Sequence, residues 1–157
     1  MHAKLQIKNS PSVYVHLAAT GEELLKNVST TDPRTSQTLA QFSDSSKLAG
    51  LTVSTTEPAV HVFLNNESDP CTFKRALLHE TVHAVNSILR WRIRGSIESD
   101  MTLITSEGRS VEVYKEMPAL PCAPEEEQAD LVAILALTIA EVIGIMRKDE
   151  AVELVEA

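Results

Sequence analysis

The chain has 157 residues, 43% hydrophobic and 23% charged, the size and composition of one folded domain with a substantial core. A formal net charge of −8 excludes an ordinary nucleic-acid-binding protein, which displaces counterions with a basic surface. Two cysteines make no disulfide framework, and no apolar leader precedes the first alternating segment, so a reduced, cytoplasmic protein is expected.

Leu5-Gln6-Ile7 and Val13-Tyr14-Val15-His16-Leu17 predict two short strands around a turn at Ser10-Pro11. Gly21 to about Val28 predicts a helix, with acids early and Lys26 late. Ser29 to Ser46 is rich in Ser and Thr and broken by Asp32-Pro33. It is expected to be a loop with a helical turn near Thr38–Phe42, of a length at which loops serve as lids. Pro58 introduces a strand over Ala59–Leu64. His61 within it either faces a cleft or is satisfied by neighbours, the second being the simpler reading, and His2 and His16 read as ordinary strand or surface residues.

A long helix follows. Asp69 can cap it, Pro70 suits its first position, and Phe73, Ala76, Leu77, Val82, Ala84, Val85, Ile88 and Leu89 recur at helical spacing up to a stop at Gly95. Arg90, Arg92 and Arg94 are expected to solvate and cap its end. Met101–Thr105 and Ser110–Tyr114 predict a hairpin across Glu107-Gly108. Pro118, Pro121 and Pro124 lead stiffly into a last helix that runs to about Lys148. Its apolar stretch, Leu131 to Met146, holds Thr138 and Glu141 and is too short for a membrane span. Cys71 and Cys122, at the two helix starts, are expected to be small buried thiols.

The chemistry sits in the long helix, as His79-Glu80-Thr81-Val82-His83. Residues four apart share a helical face, so both imidazoles can reach one metal ion, with Glu80 beside them as a general base. Glu126 and Asp130, four apart at the start of the last helix, offer a further ligand and a supporting carboxylate. An acidic first turn also simply complements the helix dipole.

An H-E-x-x-H helix followed downstream by Glu126-Glu127-Gln128-Ala129-Asp130 resembles the glutamate-type zincins, the thermolysin-like metallopeptidases. The resemblance implies zinc held by His79, His83 and Glu126, with Glu80 as base and Asp130 orienting a ligand histidine, His79 first. It covers two helices, about a third of the chain. The chain is also similar to small H-E-x-x-H proteins of tailed bacteriophages, many of which carry an aromatic where Asp130 stands. That would place it in a host cytoplasm. It departs from the large peptidases in being too short for two lobes and in having no histidine after His83. Tyr114, the only tyrosine after the pentad, could steady a transition state, although a packed strand ring is the plainer reading.

The expected architecture is α+β, a single zincin-like minimal domain over 1–157 with a small mixed sheet packed on the two site helices. By analogy with zincins, Ala59–Leu64 would form the cleft-edge strand that pairs with an extended peptide. The expected function is zinc-dependent hydrolysis of a peptide or amide bond in a protein or peptide substrate. The alternative is a zinc-binding but non-catalytic protein that acts on a host or partner protein.

Overall fold

The computed structural model describes residues 1–32, 48–95, 100–105, 110–115, 125–148 and 154–156. The fold is mixed α+β. In chain order the elements are β1 (His2–Gln6), β2 (Ser12–Ala18), α1 (Gly21–Thr31), β3 (Leu48–Thr55), β4 (Ala59–Asn65), α2 (Pro70–Arg94), β5 (Asp100–Thr105), β6 (Ser110–Lys115), α3 (Glu125–Arg147) and β7 (Leu154–Glu156). For β5, β6, β7 and most of the first turns of α3 the description is of backbone alone. The strands form one sheet in the order β6-β5-β3-β4-β2-β1-β7. β2 runs parallel to β4 and β1 to β7, and the other neighbours are antiparallel.

The alternation in β2 and β4 sorts their side chains to two faces. Val13, Val15 and Leu17 of β2 and Val60, Val62 and Leu64 of β4 share a core with Ala76, Ala84, Val85 and Ile88 of α2 and Leu135, Ile139 and Val142 of α3. On the other face Ala18, Leu51, Val53 and Phe63 pack with Leu24 and Val28 of α1. The sheet is therefore sandwiched between α1 and the α2–α3 pair.

The helix starts follow their capping residues. Thr20 accepts the amide of Glu23 at 3.1 Å, and the Glu23 carboxylate reaches back to the amide of Ala19 at 2.7 Å, a reciprocal cap for α1. Asp69 accepts the amide of Thr72 at 3.0 Å ahead of Pro70, and α2 ends at Gly95, φ 74°, whose amide bonds Trp91 O at 2.7 Å. Arg92 does more than solvate this end, since it donates to the carbonyls of Asn9 and Lys8 at 2.8 and 2.9 Å and ties α2 to the β1–β2 turn.

Several expectations change. Leu48–Thr55, not read as a strand, is a central one. β4 is consequently not a sheet edge: β2 pairs with it from Ala59 to Asn65 and β3 from Ala59 to Leu64, so no peptide can add to it. Cys71 is exposed rather than buried, because the first turn of α2 stands proud of the core. The first helix runs three residues past Val28, to Thr31. Asp32 closes that helix, its amide bonded to Val28 O at 2.8 Å, and residues 33–46 of the proposed loop, Cys122 and the Pro118–Pro124 entry lie outside the described residues. Among the described residues no helix is long and apolar enough to cross a membrane.

Candidate metal centre

α2 carries the pentad in the middle of its length, where neither end frays. Phe73, Ala76, Ala84 and Ile88 face the core, and the helix presses Glu80 onto β3. One step round the cylinder, His79 and His83 are half-buried. Their Nε2 atoms stand 3.0 Å apart, with the rings edge-on at 72°. Two imidazole nitrogens bonded tetrahedrally to one zinc at about 2.0–2.1 Å would lie about 3.3 Å apart, somewhat wider than the 3.0 Å seen here. A proton shared between the rings would hold the same separation. Burial lowers the pKa of His79, which favours the neutral ring that a metal needs. Leu78 and Val82, each one residue before a histidine of the pair, are 57% and 40% exposed and give the outer side of the pair an apolar rim.

Glu80 has no solvent exposure. One carboxyl oxygen accepts a short hydrogen bond from the Thr52 hydroxyl of β3, and the other, Oε1, is buried with no hydrogen-bond partner. Burial pushes the carboxyl up to about 8, against the opposing effect of the Thr52 bond. Gly50 makes room for it: a Cβ there would lie 3.0 Å from Glu80 Cγ. Farther along the same interface Ser54 and Ser87 bond at 2.6 Å. A polar seam thus runs between α2 and β3 inside an otherwise apolar contact. Glu80 Oε1 is an orphaned, buried acceptor one residue along the helix from His79, and a bound water would supply the donor it lacks.

The other site residues of the sequence reading are placed by backbone. Gln128 of α3 donates to Asn86 of α2 at 3.3 Å. Asn86 lies three residues past His83, so the start of α3 runs against the stripe of α2 that bears the histidines. Glu126 and Asp130 flank Gln128 by two residues on either side, and their side chains lie outside the described residues. Tyr114 is in β6, the edge strand beyond β5, and its side chain lies outside the description too. Among the described residues no group of three or more His, Cys, Asp or Glu side chains is arranged to hold a metal ion.

Two features escaped the sequence reading. Thr52 was invisible because its strand was. His2, His16 and His61, read as unrelated, form a continuous file. His2 Nδ1 and His16 Nδ1 are 2.5 Å apart, and His16 Nε2 and His61 Nδ1 are 2.9 Å apart. The pairing registers His2↔His16 and Tyr14↔His61 bring them together across β1, β2 and β4, and His61 stacks on Tyr14 at 4.8 Å. The only signal was shared parity within each strand, which says nothing until the strand order is known. His61 is thus satisfied by neighbours, on the face away from the pentad.

Comparison of the chain with known protein families, with curated proteins and with solved structures finds no match.

Proposed function

We propose that the chain is a zinc-dependent, metallopeptidase-like hydrolase of peptide or amide bonds, a minimal zincin-like domain. The observation that carries this reading is the 3.0 Å approach of the His79 and His83 Nε2 atoms, on the helical turn that also carries Glu80, whose Oε1 is buried without a hydrogen-bond partner. In this reading His79, His83 and Glu126 would hold the ion, and Asp130 would take the second ring N–H of one of the two histidines. The zinc supplies Lewis acidity, which acidifies water and polarises a carbonyl. Glu80 does the proton work. It accepts a proton from the attacking water and returns it to the leaving amine, with Thr52 holding the other oxygen of its carboxyl. A carboxyl raised to about 8 is neutral at pH 7, and a nearby divalent charge favours its ionised form, so ion and base depend on each other. Tyr114 is the candidate for an additional hydrogen bond to the transition state. The apolar rim of Leu78 and Val82 suits a peptide with an apolar side chain beside the scissile bond.

A second reading rests on the complete burial of Glu80. A base closed into the α2–β3 seam can be structural, and the chain would then bind zinc without turnover and act on a host or partner protein through contact. The separating experiment combines elemental analysis with Glu80→Gln. The hydrolase reading expects about one zinc per chain in both proteins and at least a hundredfold loss of amide hydrolysis in the variant. Zinc without hydrolysis in the wild type favours the second reading. Zinc below about a tenth of an equivalent after mild purification removes both.

A further inference from the structure

The histidine file crosses β1, β2 and β4 on the sheet face away from the pentad. His2 Nδ1 meets His16 Nδ1 at 2.5 Å, and His16 Nε2 meets His61 Nδ1 at 2.9 Å. The ring centroids are 4.7 and 5.2 Å apart. Each separation exceeds its N···N distance by about two ring radii, so both contacts run along lone-pair directions and not over ring faces. Two of the rings are clamped, His16 on Phe63 with centroids 4.4 Å apart and His61 on Tyr14 at 4.8 Å. His16 is buried, and both of its nitrogens are used inside the file.

At this range two facing lone pairs repel and two facing N–H groups collide, so each contact holds a single proton. Burial is the largest cause that holds His16 at about 3 and His61 at about 4, and it lowers His2 as well, so the rings are neutral at pH 7. A neutral imidazole carries one N–H and one bare nitrogen. Three protons and two occupied contacts then permit two arrangements. In the first, His61 Nδ1 donates to His16 Nε2, His16 Nδ1 donates to His2 Nδ1, and the third proton sits on His2 Nε2. In the second, His2 Nδ1 donates to His16 Nδ1, His16 Nε2 donates to His61 Nδ1, and the third proton sits on His61 Nε2.

We propose that His2, His16 and His61 form a proton relay with two tautomeric states, which passes one proton between a cavity at His61 and the surface at His2 without lodging a charge in the sheet. His61 lines a cavity of about 660 Å³ bounded by β2, β4 and the β3–β4 turn, and its Nε2 makes no hydrogen bond to the described residues. His2, at the other end, is exposed. Passage from the first state to the second balances. A donor in the cavity, water included, gives a proton to His61 Nε2, and His61 Nδ1 gives its own to His16 Nε2. His16 Nδ1 then gives its proton to His2 Nδ1, and His2 Nε2 releases one to solvent. Three N–H bonds break within the file and three form, and the clamped rings need not turn. The ends are therefore coupled: a group that bonds His61 Nε2 decides which nitrogen His2 presents. The relay involves neither zinc nor hydrolysis, since the pentad lies on the opposite side of the sheet.

The test is imidazole nitrogen NMR on the isotope-labelled full chain at mildly alkaline pH, which assigns the tautomer of each ring. The expected result is scalar coupling across both N···N contacts and one shared population. The fraction of His61 protonated at Nδ1 should equal that of His16 protonated at Nδ1 and that of His2 protonated at Nε2. His2→Asp places a carboxylate oxygen, an acceptor only, near the position of His2 Nδ1. It should hold His16 and His61 both in the Nδ1–H form, a change read at a ring that residue 2 does not touch. Unequal populations in the wild type, or His2 and His61 protonated at Nε2 together, would overturn the proposal. So would missing coupling at either contact, or His61 carrying its proton on Nε2 in His2→Asp.

Discussion

At the residue scale, Glu80 concentrates the conflict between folding and the proposed function. An acid with no exposure and one unpaired oxygen is costly in a core built to exclude water. The structure lowers that cost by keeping the carboxyl neutral, with its pKa raised to about 8 from an ordinary value of 4.5. The direction of the linkage follows. The unfolded chain releases this proton near the ordinary value and the folded chain only near 8. The contribution to stability is therefore complete below about 4.5 and is lost as pH rises through about 8. Metal-free protein should lose melting temperature between pH 5 and 9, and Glu80→Gln, neutral throughout, should flatten that loss. An unchanged alkaline slope in the variant would mean that Glu80 is already ionised in the fold. The alkaline slope concerns the carboxyl alone and needs neither zinc nor activity.

At the element scale, α2 is specified by both of its ends. Asp69 caps, Pro70 begins and Gly95 turns the chain left-handed, all legible without coordinates because capping is local chemistry. Replacing Asp69 by Ala should lower the denaturant midpoint of unfolding, since it removes the acceptor for the Thr72 amide and hydroxyl. A loss within error would show that water replaces the cap fully. β3 illustrates the reverse case. Leu48-Ala49-Gly50-Leu51-Thr52-Val53 is buried on both faces, and a register shift between Leu48 and Gly50 breaks its alternation. Its pattern resembles neither a half-buried strand nor an amphipathic helix. The glycine that obscured it is the residue that admits Glu80. Gly50→Ala should accordingly disturb the pentad from across the interface. It should lower melting temperature and, if zinc binds, lower zinc affinity as well, whereas a stability loss with unaltered affinity would separate β3 from the site.

At the scale of the whole molecule, the two faces of the sheet carry opposite pH liabilities. Glu80 weakens the α2 side in alkali. The histidine file weakens the α1 side in acid, because burial, with His61, His2 and the terminal ammonium adding to it, holds His16 near 3, and burial holds His61 near 4. Both histidines have folded pKa values below the ordinary 6.5, so the unfolded chain takes up protons first. Their contribution is complete above about 6.5 and is lost as pH falls toward 4 and 3. The slope of unfolding free energy against pH between about 4 and 6 should be shallower in His16→Phe, whatever the variant's stability at pH 7. An unaltered slope would show that these rings are not kept neutral by the fold.

The amino-acid sequence determined the mixed α+β class, the caps, spacing and length of α2, and the placing of His79, Glu80 and His83 on one turn, because each of these follows from interactions within a few residues. Tertiary structure alone decided that Glu80 is aimed at Thr52, that β4 is interior, and that three histidines far apart in the chain form one file. Those outcomes depend on strand order and register. Both are chosen by burial of whole faces against α1, α2 and α3, and no local pattern in the chain encodes that choice.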